Sequence, residues 1–260
     1  KWEVATKQDI GIEFDLFKDI RVQADYFWEK RENILMERAF IPSFMGLQAI
    51  PKANVGESSG KGFEFSIDAN KSINKDWWIS SRANFTYATG QFEKYEEPDY
   101  SATPWRFHAG QKLSQTWGLI AERLFVDRYE VDNSPKQTFG PYGPGDIKYK
   151  DLNDDGIIDD NDKAPIGFPT SPEIVYGFGI STGFKNFDIS CFFQGSARSS
   201  FWINPTAGGT APFVGAEGGT SNALLQVWAD NHWTEENQNC FALWPKFSDQ
   251  ENKNNTQTST

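Results

Sequence analysis

Methionine, histidine and cysteine are each down to two residues, and no apolar run approaches the ~18 residues that a membrane-crossing helix needs. These scarcities exclude several classes. Cys191 and Cys240 lie far apart and belong to no C-x-x-C or Cys/His grouping, so zinc-ligand spacing is missing and both read as free thiols. His108 and His232 stand near no G-x-S-x-G, H-E-x-x-H or phosphate-loop sequence. Carboxylates are too plentiful for spacing to pick out a glycosidase pair, and the chain reads as something other than an enzyme. Lys and Arg number 25 against 36 Asp and Glu, for a net charge of −11, which argues against nucleic acid as a partner because that affinity rests on neutralising phosphates. The sequence starts at Lys1 with no Met and no charged-then-apolar leader, so any export signal is expected to be removed or to lie upstream. Helical membrane proteins are excluded; barrels are not, because a barrel strand is apolar only at every second position.

Aromatic residues are abundant, at 15% with 22 Phe, 10 Trp and 8 Tyr, and large rings suit a pleated surface. They fall into a period-two pattern. In residues 8–17, Ile10, Ile12, Phe14 and Leu16 oppose Asp9, Gly11, Glu13 and Asp15. After Lys18 and Asp19, Ile20, Val22, Ala24, Tyr26 and Trp28 oppose Arg21, Gln23, Asp25 and Glu29. A second pair sets Phe63, Phe65, Ile67 and Ala69 against Glu64, Ser66, Asp68 and Asn70, turns at residues 74–76, and returns through Trp77, Ile79, Ala83, Phe85 and Tyr87. A third uses Tyr176, Phe178, Ile180 and Phe184, turns at Lys185 and Asn186, and returns through Phe187, Ile189, Cys191 and Phe193. The expectation is an all-β fold of about six antiparallel strands in tight hairpins.

The connections between hairpins, residues 36–60, 95–172 and 202 onward, far exceed the ~4–6 residues usual in compact domains. Short turns at one edge and long loops at the other are the layout of a transmembrane outer-membrane barrel. Tyr26, Trp28, Trp77, Phe184 and Phe187 sit near strand ends, where interfacial girdles belong. About six strands cannot close a barrel, whose smallest single-chain form has about eight, and an open edge in lipid is prohibitive. The chain therefore reads as part of a barrel, and residues 249–260 as a loop cut short. The competing reading is a secreted β-sandwich that binds carbohydrate with calcium, since sandwiches alternate in the same way. Trp105, Trp202, Trp228, Trp233 and Trp244 either stack on sugars or pack a loop core, and packing is preferred.

One stretch carries sharp chemistry. In residues 151–162, Asp151, Asn153 and Asp155 fall at positions one, three and five of a calcium loop, Gly156 supplies the turn at six, Ile157 offers its carbonyl at seven, and Asp159 and Asp162 stand at nine and twelve. Asp162 replaces the usual Glu, and Pro165 stops a following helix, so a static structural Ca2+ is expected rather than a helix-loop-helix sensor.

The run Gly145-Asp-Ile-Lys-Tyr-Lys-Asp-Leu-Asn-Asp-Asp-Gly-Ile-Ile-Asp, then Ile166-Gly, then Ser171-Pro-Glu-Ile-Val-Tyr-Gly-Phe178, resembles the C-terminal barrel region of the SusC/RagA-like TonB-dependent transporters. Similar text occurs at Trp2-Glu-Val-Ala-Thr-Lys-Gln-Asp-Ile-Gly-Ile-Glu-Phe14, in the run from Gly110-Gln111 through Trp117-Gly118 to Leu124-Phe125, and at Asp230-Asn-His-Trp-Thr-Glu-Glu-Asn237. The resemblance covers nearly the whole chain, although Leu113-Ser114 and Glu122-Arg123 depart from the family's usual text. It implies that residues 1–260 are part of a barrel of about 22 strands around a plug, with the plug and the last strands absent here. It further implies residues 95–172 as a long extracellular loop carrying the calcium-type loop. TonB coupling through a missing N-terminal region, a SusD-like surface lipoprotein as lid, and import of oligosaccharides or peptides across a Gram-negative outer membrane follow in the same way. The polar face (Asp9, Glu13, Asp15, Arg21, Asp25, Glu64, Asp68, Arg82, Asp188) would line the lumen and the apolar face would meet lipid.

Overall fold

The structure, a computed structural model, describes residues 2–41, 43–203, 226–248 and 252–260. In chain order the strands are β1 (Val4–Leu16), β2 (Ile20–Glu37), β3 (Lys52–Ser72) and β4 (Trp77–Lys94), followed by the short β5 (Thr116–Gly118), β6 (Ala121–Leu124), β7 (Lys136–Gln137), β8 (Ile147–Tyr149), β9 (Ile157–Ile158) and β10 (Ala164–Ile166). Two long strands, β11 (Ile174–Phe184) and β12 (Phe187–Ala197), come next; short helices are α1 (Arg128–Asp132) and α2 (Gln226–Asp230). The chain divides into two units. One comprises Lys1–Asp99, Phe107–Gln115 and Phe168–Ser200, the other Tyr100–Arg106, Thr116–Gly167 and Phe201–Thr260.

The first unit is a six-stranded sheet in the order β1-β2-β3-β4-β11-β12, antiparallel throughout. Its three expected hairpins form. Phe17 and Lys18 both take positive φ (+54° and +63°), so β1 ends one residue earlier than the alternation suggested and Phe17 belongs to the turn. At the second turn the Asn74 side chain accepts a hydrogen bond from the Asp76 N–H at 2.9 Å, a local Asx closure. The third is a two-residue loop between the paired Phe184 and Phe187, with Lys185 at φ +56°.

Register aligns the pattern across all six strands. One row reads Phe14, Val22, Ile67, Ala83, Phe178, Phe193; the next reads Ile12, Ala24, Phe65, Phe85, Tyr176, Gly195. A one-residue slip of β1, β2 or β3 would put charged and polar side chains such as Glu13, Arg21 and Asp68 into these rows. The face is open: Ile10 is 66% exposed, Phe178 51% and Ile189 71%, with Phe14 and Phe65 also exposed and Val22 half-buried. A sandwich would have buried these side chains against a second sheet, so that alternative does not describe this fold.

Aromatic belts bound the apolar face. Trp77, Phe184 and Phe187 form a row at the turn end. Toward the other end stand Tyr26 and Trp28, 5.7 Å apart, and Phe63 and Tyr87, 5.8 Å apart. From Trp77 to Tyr87 the strand advances roughly 33 Å at about 3.3 Å per residue. At a tilt of about 40° that is roughly 25 Å of height, the thickness of a barrel's apolar band.

Two expectations are corrected here. The connection assigned to residues 36–60 is shorter than expected, because strand occupies both of its ends: β2 reaches Glu37 and β3 starts at Lys52. Beyond the belts both faces are polar (Lys30, Glu32 and Glu57 on one side, Glu29, Arg31 and Ser58 on the other), so the apolar signal vanishes while pairing continues. Register shifts near Ile34 and Glu57 mark bulges that bend this extension. Residues 252–260, expected as a broken loop, are instead packed into the second unit.

That second unit is held by small paired strands: β5 with β10 and β6 with β8 antiparallel, β7 with β9 parallel. Its core is Leu119, Tyr149 and Ile158, flanked by Ala121, Phe139 and Ile147. The Leu119 N–H donates to the Thr258 carbonyl at 2.8 Å and the Ala121 N–H to that of Thr260 at 3.0 Å. Asn254 is fully buried. Its amide oxygen accepts from the Gln137 amide at 2.6 Å, its amide nitrogen donates to the Ile147 carbonyl at 3.0 Å, and its own carbonyl accepts the Tyr149 hydroxyl at 2.6 Å. A buried amide is tolerated because both of its ends are satisfied. Residues 202 and 203 are described; the rest of the long connection expected from residue 202, residues 204–225, lies outside the described residues.

Candidate functional site

The face opposite the apolar rows carries the charges. Asp15, Arg21, Asp68 and Arg82 form one cross-strand row, and Gly11, Asp25, Glu64 and Thr86 another. The Arg21 guanidinium lies 3.2 Å from Asp15 and 3.3 Å from Glu13, and Arg82 pairs with Asp68. In the first row opposite charges face each other across strands and favour this register, whereas Asp25 faces Glu64 in the second and opposes it; exposed pairs contribute little individually. Asp9 and Asp188 share the same side by register, opposite Phe27 and Gly183. All nine acidic and basic residues read from the sequence as one face are therefore on one face.

Near the far end of that face opens a cleft of about 560 Å³, lined by Phe27, Glu29, Arg31, Lys112, Leu113 and Glu173 among others. Residues 107–115 lie along the end of β4: the Gly110 N–H donates to the Phe92 carbonyl at 2.7 Å and the Leu113 N–H to that of Gly90 at 3.1 Å. The two segments approach closely at Gly90, where an added Cβ would stand 2.8 Å from Leu113 Cδ1 and displace that exposed side chain. The Glu97 carboxylate accepts the His108 N–H at 2.9 Å and meets His108 Nδ1 at 2.8 Å, while Tyr95 stacks on the same ring. Glu173 is 4% exposed and takes Lys112 at 2.9 Å, Arg198 at 2.8 Å and the Thr89 hydroxyl. A buried carboxylate must be paired, and this one ties together β4, residues 107–115 and the chain leaving β12. Sequence reasoning missed Glu173, Lys112 and Arg198; their separation in sequence leaves no local signal.

The acidic loop folds around its own backbone. Asp151 Oδ2 accepts the Gly156 N–H at 2.8 Å, and Asp155 Oδ1 that of Ile157 at 2.8 Å. Asn153 Oδ1 accepts the Asp155 N–H at 3.2 Å, and Asp159 Oδ1 that of Asn161 at 2.7 Å. Asp162 is fully buried and receives the N–H groups of Leu152 and Asp159. Burial pushes its carboxyl upward, and the charges of Asp151 and Asp159 add to this against those two hydrogen bonds. Asp154 and Gly156 supply the tight turn with φ +56° and +80°, and Ile157 enters β9 beside Lys136. Among the described residues no three His, Cys, Asp or Glu side chains converge as a ready-made metal cage. The donor set is nevertheless all oxygen, the chemistry of a hard cation, and Asp151 Oδ1 is buried without a hydrogen-bond partner.

Beside this loop in the same unit, Asp127 caps α1 by accepting the Glu130 N–H at 2.8 Å. Glu130 accepts the Val126 N–H at 3.0 Å, Lys148 at 3.0 Å and the Arg123 guanidinium. Burial alone would raise the Glu130 carboxyl, but the Val126 N–H, Lys148 and Arg123 outweigh it and hold it at about 2. A lowered carboxyl contributes stability above its ordinary range and loses it as pH falls toward the folded value. Pepsin cleavage within residues 116–150 is therefore expected to accelerate as pH drops from about 4.5 to about 2, and Glu130→Gln should flatten that dependence. A variant with the same pH profile would refute the assignment.

Four of the loop tryptophans have partners or burial within the protein. Trp228 and Trp244 stack with centroids 3.4 Å apart, Trp233 is buried, and Trp105 Nε1 donates to the Asn161 carbonyl at 2.7 Å; Trp202 is half-buried.

Residues 1–198 match the family described as TonB dependent receptor-like, beta-barrel. TonB-dependent receptor P3 of Formosa agariphila is 30% identical over 207 residues, covering 75% of this chain and 20% of that protein. TonB-dependent receptor SusC of Bacteroides thetaiotaomicron is 26% identical over 209 residues, covering 76% and 20%. The chain thus spans about a fifth of the length of these relatives. Among solved structures, the RagAB peptide importer in its closed-closed state superposes with a TM-score of 0.62 at 16% identity, over 99% of this chain and 27% of that one.

Proposed function

Because this chain belongs to the TonB dependent receptor-like β-barrel family, a family of receptors and transporters rather than enzymes, we propose that it is part of the barrel wall of a SusC-like importer in a Gram-negative outer membrane. The observation that carries this is the two-faced sheet: six strands in one register, apolar side chains on one face between aromatic belts and charged, mostly acidic side chains on the other. In this reading the apolar rows meet lipid, the charged rows line the water-filled lumen, and the three tight turns face the periplasm. Residues 95–172 then lie outside the cell, where a SusD-like lipoprotein closes over the loops, and TonB supplies the energy through a region N-terminal to the barrel. The cargo is an oligosaccharide or a peptide. Deleting the gene is expected to abolish growth on one oligosaccharide or one peptide mixture as sole nutrient, with full-length protein restoring it. Unchanged growth on every such nutrient would remove the importer reading.

The acidic loop is proposed to hold Ca2+ through Asp151, Asn153, Asp155, the Ile157 carbonyl, Asp159 and Asp162. An ion there would supply charge compensation for Asp162 and a partner for Asp151 Oδ1. At a hundredfold excess over Kd, binding would stabilise the loop by about 2.7 kcal/mol. Chelation of the full-length protein is expected to open residues 151–162 to protease, with Ca2+ but not Mg2+ reversing it. Indifference to EGTA would dismiss the ion.

A further inference from the structure

The apolar face is not uniform. Along β4 the outward side chains shrink to Ser81 and Ala83, with Ala69 paired to Ser81 on β3, while Ile67, Phe178, Ile180 and Phe193 stand tall around them. The result is a groove of about 430 Å³ on the face turned to lipid. In hydrocarbon there is no hydrophobic drive into such a groove, and occupancy depends on packing shape. An acyl chain is the shape that a lipid bilayer offers.

What lies at the turn end of this groove gives the occupant its charge. Lys71 faces outward on β3, two residues or about 7 Å of strand beyond Ala69. Lys18, Lys75 and Lys185 sit exposed in the three turns. Asp19, which meets Lys71 at 3.1 Å, and Asp76 are the carboxylates among them, while Asp188 is on the opposite face by register. Lysines thus outnumber carboxylates at this edge in a chain whose net charge is −11. The belt of Trp77, Phe184 and Phe187 fixes the headgroup level there. Basic side chains at that level select anionic headgroups over zwitterionic ones.

We propose that β3, β4 and β11 form a specific site for an anionic glycerophospholipid of the inner leaflet, its phosphate held by Lys71 with the turn lysines and one acyl chain seated over Ser81 and Ala83. The proposal rests on the membrane reading above and adds a ligand to the outer wall. Lys71 exchanges part of its pairing with Asp19 for the phosphate.

The test uses the full-length transporter in mild detergent, titrated with phosphatidylglycerol and with phosphatidylethanolamine and read by native mass spectrometry. The expected result is one retained phosphatidylglycerol with a several-fold preference. Lys71→Gln combined with Lys75→Gln and Lys185→Gln should bring the preference close to one, while the corresponding three arginine substitutions keep it. Ala83→Phe should lower retention of both lipids. Equal retention by the unaltered protein, or a preference that survives loss of the lysines, overturns the site. Heat-shifted mobility on gels verifies folding, and if the triple variant does not fold, Lys75→Gln with Lys185→Gln, both in exposed turns, replaces it. Quenching of Trp77 fluorescence by brominated acyl chains separates the two claims. Quenching without lipid preference leaves the membrane reading standing and removes the site, whereas no quenching removes both.

Discussion

Replacing Phe178 with arginine is expected to destabilise the folded barrel by about 2–4 kcal/mol, the cost of a cation at the bilayer midplane on a lipid-facing position. Phe178 lies in the row that runs from Phe14 to Phe193, midway between the two aromatic belts. Asn84 follows Ala83, the cross-strand partner of Phe178, and therefore points to the opposite face. Asn84→Arg, on the charged face opposite Ser66 and Gly177, should stay near neutral because surface substitutions away from special features cost within about 0.5 kcal/mol. Refolding of the full-length protein into bilayers, followed by urea titration, measures both. Equal penalties for the two variants would mean that the faces do not differ in environment, and the barrel assignment would fail with them.

The second large effect is expected in the other unit. Tyr149→Ala should cost about 3–5 kcal/mol of local stability, the range for removing a buried aromatic ring. Tyr149 is 1% exposed at the centre of the small core beside Leu119 and Ile158. Its hydroxyl also satisfies the Asn254 carbonyl. Tyr149→Phe keeps the ring and leaves that carbonyl unpaired, a loss of about 1–3 kcal/mol. Hydrogen exchange on the full-length protein is expected to show residues 116–167 and 252–260 exchanging faster together in the alanine variant while β1–β4 are unaltered. If protection is lost in only one of those stretches, residues 252–260 do not share a core with the strands they touch.

The legible part of the fold was the part where one physical rule acts alone. In β1, β4, β11 and β12 one apolar and one polar face impose period two, with Trp78 and Phe192 as exceptions on the polar side, and tight turns punctuate it. Past Trp28 and Phe63 that contrast fades, because charged and small polar side chains stand on both faces, and the strand text comes to resemble loop text. The loop unit was illegible for a different reason. Its order comes from amides and carboxylates that meet partners far away in sequence: the Asn254 amide donates to the Ile147 carbonyl, the Gln137 amide to the Asn254 side-chain oxygen, and the Asn252 and Asn255 amides to the Asp146 carboxylate. A run such as Asn252-Lys-Asn-Asn-Thr256 reads as solvated tail until its partners more than a hundred residues away are known. The acidic loop was legible as a spacing, and its turn forms at Asp154 and Gly156, but that spacing did not announce that the carboxylates of Asp151, Asp155 and Asp159 accept the loop's own N–H groups. Glu173 was in plain view before β11, but nothing near it in sequence announces Lys112 or Arg198.

Of the 21 residues of β3, those from Lys52 to Gly62 lie beyond the belt at Phe63, roughly 35 Å of paired strand at about 3.3 Å per residue. In the importer proposed above, the sheet would rise out of the hydrocarbon as a paired parapet. A solute approaching such a pore would meet this upright wall well before it reached the depth of the lipid.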